Sequence, residues 1–115
     1  LEKVGKAANI YQATDAIVVS ANKTKAWKRP FHGKITTDID ASILTDHMML
    51  EATELGLGSV WICYFNPDIL KEELNLPENL EPVNILALGY SDEPDASAER
   101  HKDMRIGMDE LVSYL

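Results

Sequence analysis

The run DASILTDHMMLEATELGLGSVWICYF, residues 40–65, constrains this chain more than any other stretch. It reads as a long helix, a glycine turn and an apolar strand. Ile43, Leu44, His47, Met48, Glu51, Ala52 and Leu55 recur at spacings of three and four. The apolar members form a stripe that Met49 and Leu50 widen. So wide a stripe predicts a helix covered on more than one side, buried between a sheet and a partner chain. Thr37 with Asp40 fits a capping box, and Asp38 is the alternative cap. Gly56 follows the last stripe residue, where a helix end calls for a positive φ, and Gly58 lets the chain turn again. Residues 60–65 carry few polar side chains and are expected inside a sheet.

The other elements are shorter. Residues 16–20 (AIVVS) are a β-branched run that predicts a buried strand. Residues 22–37 are polar and irregular, with Pro30 and Gly33 breaking the segment WKRPFHGK. Asn66-Pro67-Asp68 starts a helix: Asn caps it, Pro suits the first helical position, and Asp suits the positive end. Ile69, Leu70 and Leu74 give that helix one face, and Pro77 stops it. Residues 83–88 (VNILAL) predict a further strand. Residues 91–105 are charged, lack a period and read as an extended surface arm. Residues 108–115 read as a last helix with Leu111, Val112 and Leu115 on one side. This order of elements is α/β or α+β and leaves strand pairing open. Its strand content is thin for a full sheet.

At 115 residues the chain is a single domain, 1–115, with an apolar fraction of 45%. A net charge of −8 argues against nucleic acid and anionic membranes as partners, although a local basic cluster can still hold a small anion. The one cysteine, Cys63, excludes an internal disulfide and fits a reducing compartment. No run reaches the length of a membrane span and no signal peptide is visible, so the expected location is cytoplasmic.

Side chains that announce chemistry are few. Asp38 and Asp40 are plainer as helix caps than as a carboxylate pair. His47, Glu51 and Glu54 share a helical spacing, but without a second histidine nearby no metal site is expected. Cys63 reads as a small buried apolar residue before it reads as a nucleophile. No catalytic side chain is assigned. Gly56 and Gly58 follow a helix, whereas a dinucleotide fingerprint needs a strand before it, so they are a helix stop and a turn. The end of the strand, residues 62–65, offers main-chain groups that can face a flat polar ligand. Arg100, His101, Lys102 and Arg105 form the basic concentration of the C-terminal third, either a solvated arm or an anion site. Lys25, Lys28 and Arg29 make a second patch, interleaved with Trp27 and Phe31.

Taken together, residues 40–90, with WKRPFHGK before them and RIGMDELV after them, resemble the C-terminal half of the flavin-dependent nitroreductase family. The resemblance implies an α+β fold, a nitroreductase-like sheet with a central buried helix, left incomplete in this chain. It implies a homodimer that binds FMN at the subunit interface. It further implies hydride uptake from NADH or NADPH and reduction of nitroaromatics, quinones or similar small organic acceptors. Residue by residue, it places the flavin ring near Ile62, Cys63 and Tyr64, with main-chain groups facing N5. It gives the FMN phosphate to Arg105, assisted by Lys102. Cys63 and Tyr64 stand where the family favours smaller residues (or, at Tyr64, histidine), and Gly107 stands where it favours proline.

The family's N-terminal half, with its arginine-rich RRSxR-type motif, is absent from these residues, and the chain begins at Leu1. The resemblance therefore implies the C-terminal portion of one FMN-dependent domain, without its N-terminal FMN-binding half. Two functions are expected to compete: an FMN-dependent NAD(P)H oxidoreductase, and a non-enzymatic α/β module that dimerises or binds a partner.

Overall fold

The computed structural model describes residues 1–115. Three antiparallel strands form the sheet: β1 (Asp15–Asn22), β2 (Gly58–Ile62) and β3 (Leu80–Gly89), in the order β1-β3-β2. The strand buried on both sides is therefore β3, where residues 84–87 are all buried. The run that includes Val60 lies at an edge and pairs only as far as Ile62 with Ile85. The expected strand at 60–65 thus starts two residues earlier, ends three earlier, and is not interior. Pro82 sits inside β3 and has no N–H for the ladder. There the register against β1 shifts: Val19 pairs with Asn84 but Ser20 with Pro82, which leaves Val83 as an extra residue.

Alternation along the strands sorts side chains into two layers. On one face Ile62, Ile85 and Ala87 form the core with Val4, Ala7 and Leu70, and Ala16, Val18 and Leu74 pack against it. That face is closed by α1 (Glu2–Gly5) and α3 (Pro67–Leu74). The start of α3 follows from its sequence. The Asn66 side chain accepts hydrogen bonds from the Asp68 and Ile69 N–H groups at 3.0 and 3.2 Å, with Pro67 at the first position. The other face is covered by α2 (Thr37–Glu54), the longest helix.

The α2 helix ends as its glycine predicts. Gly56 has φ 74°, its N–H donates to Thr53 O, and the Leu57 N–H donates to Ala52 O at 2.8 Å. Its start lies at Thr36, whose hydroxyl donates to Asp40 Oδ2 at 2.9 Å. The residues it buries are not the large apolar ones. Ala41, Thr45 and Ala52 face the sheet, while Ile43, Leu44, Leu50 and Leu55 are each more than half exposed. The central buried helix is corrected accordingly: in the single chain, small side chains bring one face of α2 close to β3, and the wide apolar face is left outside.

The expectation of an incomplete sheet is corrected too. β3 is paired on both edges and each sheet face carries a helical layer, so these residues make one layered α+β unit. Beyond it, residues 91–99 are exposed, followed by α4 (Arg100–Met104) and α5 (Met108–Leu111). Neither helix packs appreciably on the sheet or its covering helices. The last helix is half the predicted length, and Leu111 and Leu115 are exposed. No helix is long and apolar enough to cross a membrane.

Candidate functional site

The chain leaves the sheet immediately after Ile62, which is buried at 5% exposure in the α1/α3 layer. Strand pairing stops there, so Cys63 is exposed rather than a small buried residue. Tyr64 is 96% exposed. A tight turn follows, in which the Phe65 N–H donates to Cys63 O at 3.2 Å. The Asn66 N–H then donates to Ala7 O at 2.9 Å and anchors the turn to the N-terminal segment.

The N–H groups of Cys63 and Tyr64 make no hydrogen bond within the chain. Two adjacent main-chain donors at a strand end, beside an exposed aromatic ring, match the acceptor edge of a flat heteroaromatic such as an isoalloxazine. A cleft of about 820 Å³ opens beside Tyr64, lined by Lys6, Ala8, Asn9 and Asp68 among others. That volume lies in the range of small-molecule sites. A second cleft, of about 490 Å³, lies at the opposite strand ends, between Gly58, Gly89 and the Tyr11–Thr14 segment.

The expected phosphate ligands lie elsewhere in the chain. Lys102 is on α4 and pairs with Glu99, one turn before it on the arm. Arg105 ends α4 in extended backbone. No hydrogen bond or ion pair joins either residue to the turn after Ile62. The cluster does act electrostatically: Arg105 lowers the pKa of the His101 imidazole, partial desolvation lowers it further, and Arg100 adds to the effect. The two cations that depress it, Arg105 and Arg100, have no acidic partner, whereas Lys102 has Glu99.

The sequence pointed to residues 62–65 through their apolar run, and the structure narrows the interest to Cys63 and Tyr64. Less visible was the partner of Arg29. Lys34 lies directly across from it in a short ribbon, and the signal was the spacing of Arg29 and Lys34 about the Pro30–Gly33 turn.

Comparison with known proteins gives these features a family. The model of the nitroreductase family matches residues 1–90. A protein of Archaeoglobus fulgidus, named for NADH dehydrogenase and NAD(P)H nitroreductase activity, is 36% identical over 88 residues. That match covers 72% of this chain and 48% of the relative, so the chain spans about half of that protein's length. The crystal structure of a nitroreductase family protein from Clostridium difficile 630 is 61% identical and superposes with a TM-score of 0.93. It covers 98% of this chain, which spans 66% of that one. An FMN-dependent nitroreductase of Clostridium difficile R20291 is 28% identical, with a TM-score of 0.68, over 91% of this chain and 69% of its own.

The match to the Clostridium difficile 630 structure corrects the expectation of a C-terminal half that lacks a separate FMN-binding half. Nearly the whole chain, from the N-terminal segment to the arm, follows the nitroreductase fold as one unit. The rival reading as a non-enzymatic module drew on that half and on the departures at Cys63 and Tyr64; the match to the family across the fold weighs against it. With the family model extending across three strands and both helical layers, this chain belongs to the nitroreductase family.

Proposed function

We propose that this chain serves an FMN-dependent oxidoreductase that draws on NADH or NADPH and reduces nitroaromatic, quinone or similar small organic acceptors in the cytoplasm. The observation that carries this reading is the pair of free N–H groups at Cys63 and Tyr64, at the end of an edge strand in a nitroreductase fold. When bound, FMN supplies the redox chemistry, accepting hydride and passing electrons to the acceptor. The protein's part is to position the ring. Ile62 fixes the strand end by burying its side chain, the turn at Cys63–Phe65 presents the donors, and Asn66 pins the turn to Ala7. Arg105, with Lys102 beside it, is assigned to the FMN phosphate. No acidic or basic side chain is required at the ring for hydride transfer.

On this account the Cys63 thiol is not a reactant. Cys63→Ser keeps the backbone and nearly the size, and it is expected to retain flavin reduction within a few-fold. Cys63→Leu is expected to do worse by crowding the ring. Single-turnover reduction of bound flavin by NADH or NADPH, followed at the flavin absorbance, checks the order. A folded, FMN-loaded C63S slowed by more than about 100-fold, roughly 2.7 kcal/mol of barrier, would refute a main-chain site.

The same reading includes a homodimer. Ile43, Leu44 and Leu50 on α2, Leu55 at its C-cap, and Met104, Ile106, Met108 and Leu111 on the arm are all exposed in the single chain. So much apolar surface calls for a partner, and a second copy is the commonest one. Sedimentation velocity at micromolar concentration is expected to give a dimer. A single monomer boundary would count against this assembly.

A further inference from the structure

Charge is sharply segregated in this acidic chain. Between Asp15 and Asp38 there is no acidic residue, yet Lys23, Lys25, Lys28, Arg29 and Lys34 all fall there. Lys23 is neutralised by Glu81 at 3.2 Å, and the other three ion pairs of the structure involve Lys6, Lys71 and Lys102. Lys25, Lys28, Arg29 and Lys34 therefore have no acidic partner.

These cations are held by a ribbon. Lys28 bridges to Ile35, the Arg29 N–H donates to Lys34 O at 2.8 Å, and the Thr36 N–H donates to Trp27 O at 3.2 Å. His32 and Gly33, with φ of 65° and 64°, close its tip. Arg29 and Lys34 are thus direct cross-strand neighbours of like charge, an arrangement that costs stability unless an anion relieves it. By alternation Trp27 shares their face, and the residue is 59% exposed. The ribbon follows β1, whose last pair is Asn22 with Leu80, and β2 also ends toward the start of β3. It therefore emerges from the same end of the sheet as the Cys63–Tyr64 turn.

We propose that this ribbon binds the adenosine-phosphate end of NADPH, with Arg29 and Lys34 on phosphate oxygens and Trp27 stacked on the adenine. The assignment rests on the oxidoreductase reading above and adds to it a preference for the phosphorylated nucleotide. A guanidinium takes a phosphate bidentately, an ammonium adds a point charge, and an exposed indole offers a base a flat partner.

The test uses 2′,5′-ADP, which needs no flavin turnover. Titration is expected to quench Trp27 fluorescence, with AMP binding at least tenfold more weakly. The variant R29Q/K34Q is expected to lose tenfold or more in 2′,5′-ADP affinity, while far-UV circular dichroism confirms its fold. In Trp27→Phe the quench should vanish, with binding by calorimetry weakened several-fold. Equal affinity in wild type and R29Q/K34Q would overturn the site, as would a quench that survives in W27F. A change in sedimentation without a change in nucleotide affinity would also overturn it, giving the ribbon instead to the acidic segment 91–99 of a second copy. If wild type binds 2′,5′-ADP through the ribbon but never reduces flavin, the site stands and the oxidoreductase reading fails.

Discussion

Thr45→Val is expected to destabilise the fold by about 2–4 kcal/mol although it changes neither size nor shape. Thr45 and Asn84 are both fully buried where α2 crosses β3. The Thr45 hydroxyl lies 2.8 Å from Ala41 O and 3.2 Å from Asn84 Oδ1, and the Asn84 Nδ2 donates back to Thr45 Oγ1 at 3.0 Å. Asn84 has no other side-chain partner, so T45V leaves the buried Nδ2 donor without its acceptor, at about 1–3 kcal/mol, and removes the one hydroxyl hydrogen that Ala41 O and Asn84 Oδ1 share, about 1 kcal/mol more. Asn84→Leu is milder, about 1 kcal/mol, because Thr45 keeps its bond to Ala41. The double variant T45V/N84L replaces both polar partners and should be more stable than T45V alone. Urea unfolding of the four proteins measures the cycle. Simple additivity would show that the pair does not hold α2 to the sheet.

That contact also explains how much of the fold was legible in the sequence. Local signals worked where local chemistry decides. Asn66-Pro67 starts α3, Gly56 ends α2, and the VNILAL run lies within the buried central strand. Layering was misread because periodicity reports an apolar stripe without saying what covers it. Hydrophobicity favoured Ile43 and Leu44, whereas close approach to the sheet selected Ala41, Thr45 and Ala52. Likewise VWICYF is as apolar as VNILAL, yet β2 lies at the edge. Which strand is central depends on pairing partners far apart in the chain, a non-local choice that neither run encodes by itself.

The candidate site was legible to a smaller degree. Resemblance led to Cys63 and Tyr64, but not to their exposure, because where β2 stops pairing with β3, at Ile62 against Ile85, is a non-local choice. A site made of main-chain donors leaves almost no trace in residue types. The basic ribbon was visible as composition, while its geometry needed the turn at His32–Gly33 to set Arg29 against Lys34.

Arg105→Ala is expected to weaken FMN binding by about 1.5–3 kcal/mol, roughly 10- to 150-fold in affinity, the scale of a hydrogen bond to a charged group. Arg105 is exposed and has no acidic partner, so its charge is available to a phosphate. Lys102 is already engaged by Glu99, and Lys102→Ala should cost much less. His101 provides a check on the local field. Arg105 is the main cause of its depressed pKa, so its imidazole should titrate closer to its ordinary value in R105A. The sign follows from charge: removing a neighbouring cation makes the imidazolium easier to form. Phosphate binding in wild type should move His101 the same way, since an anion offsets the same repulsion. Fluorescence titration of apoprotein with FMN, paired with NMR titration of His101, separates the outcomes. If R105A shifts His101 while FMN affinity stays unchanged, Arg105 shapes the field of the arm but does not hold the phosphate.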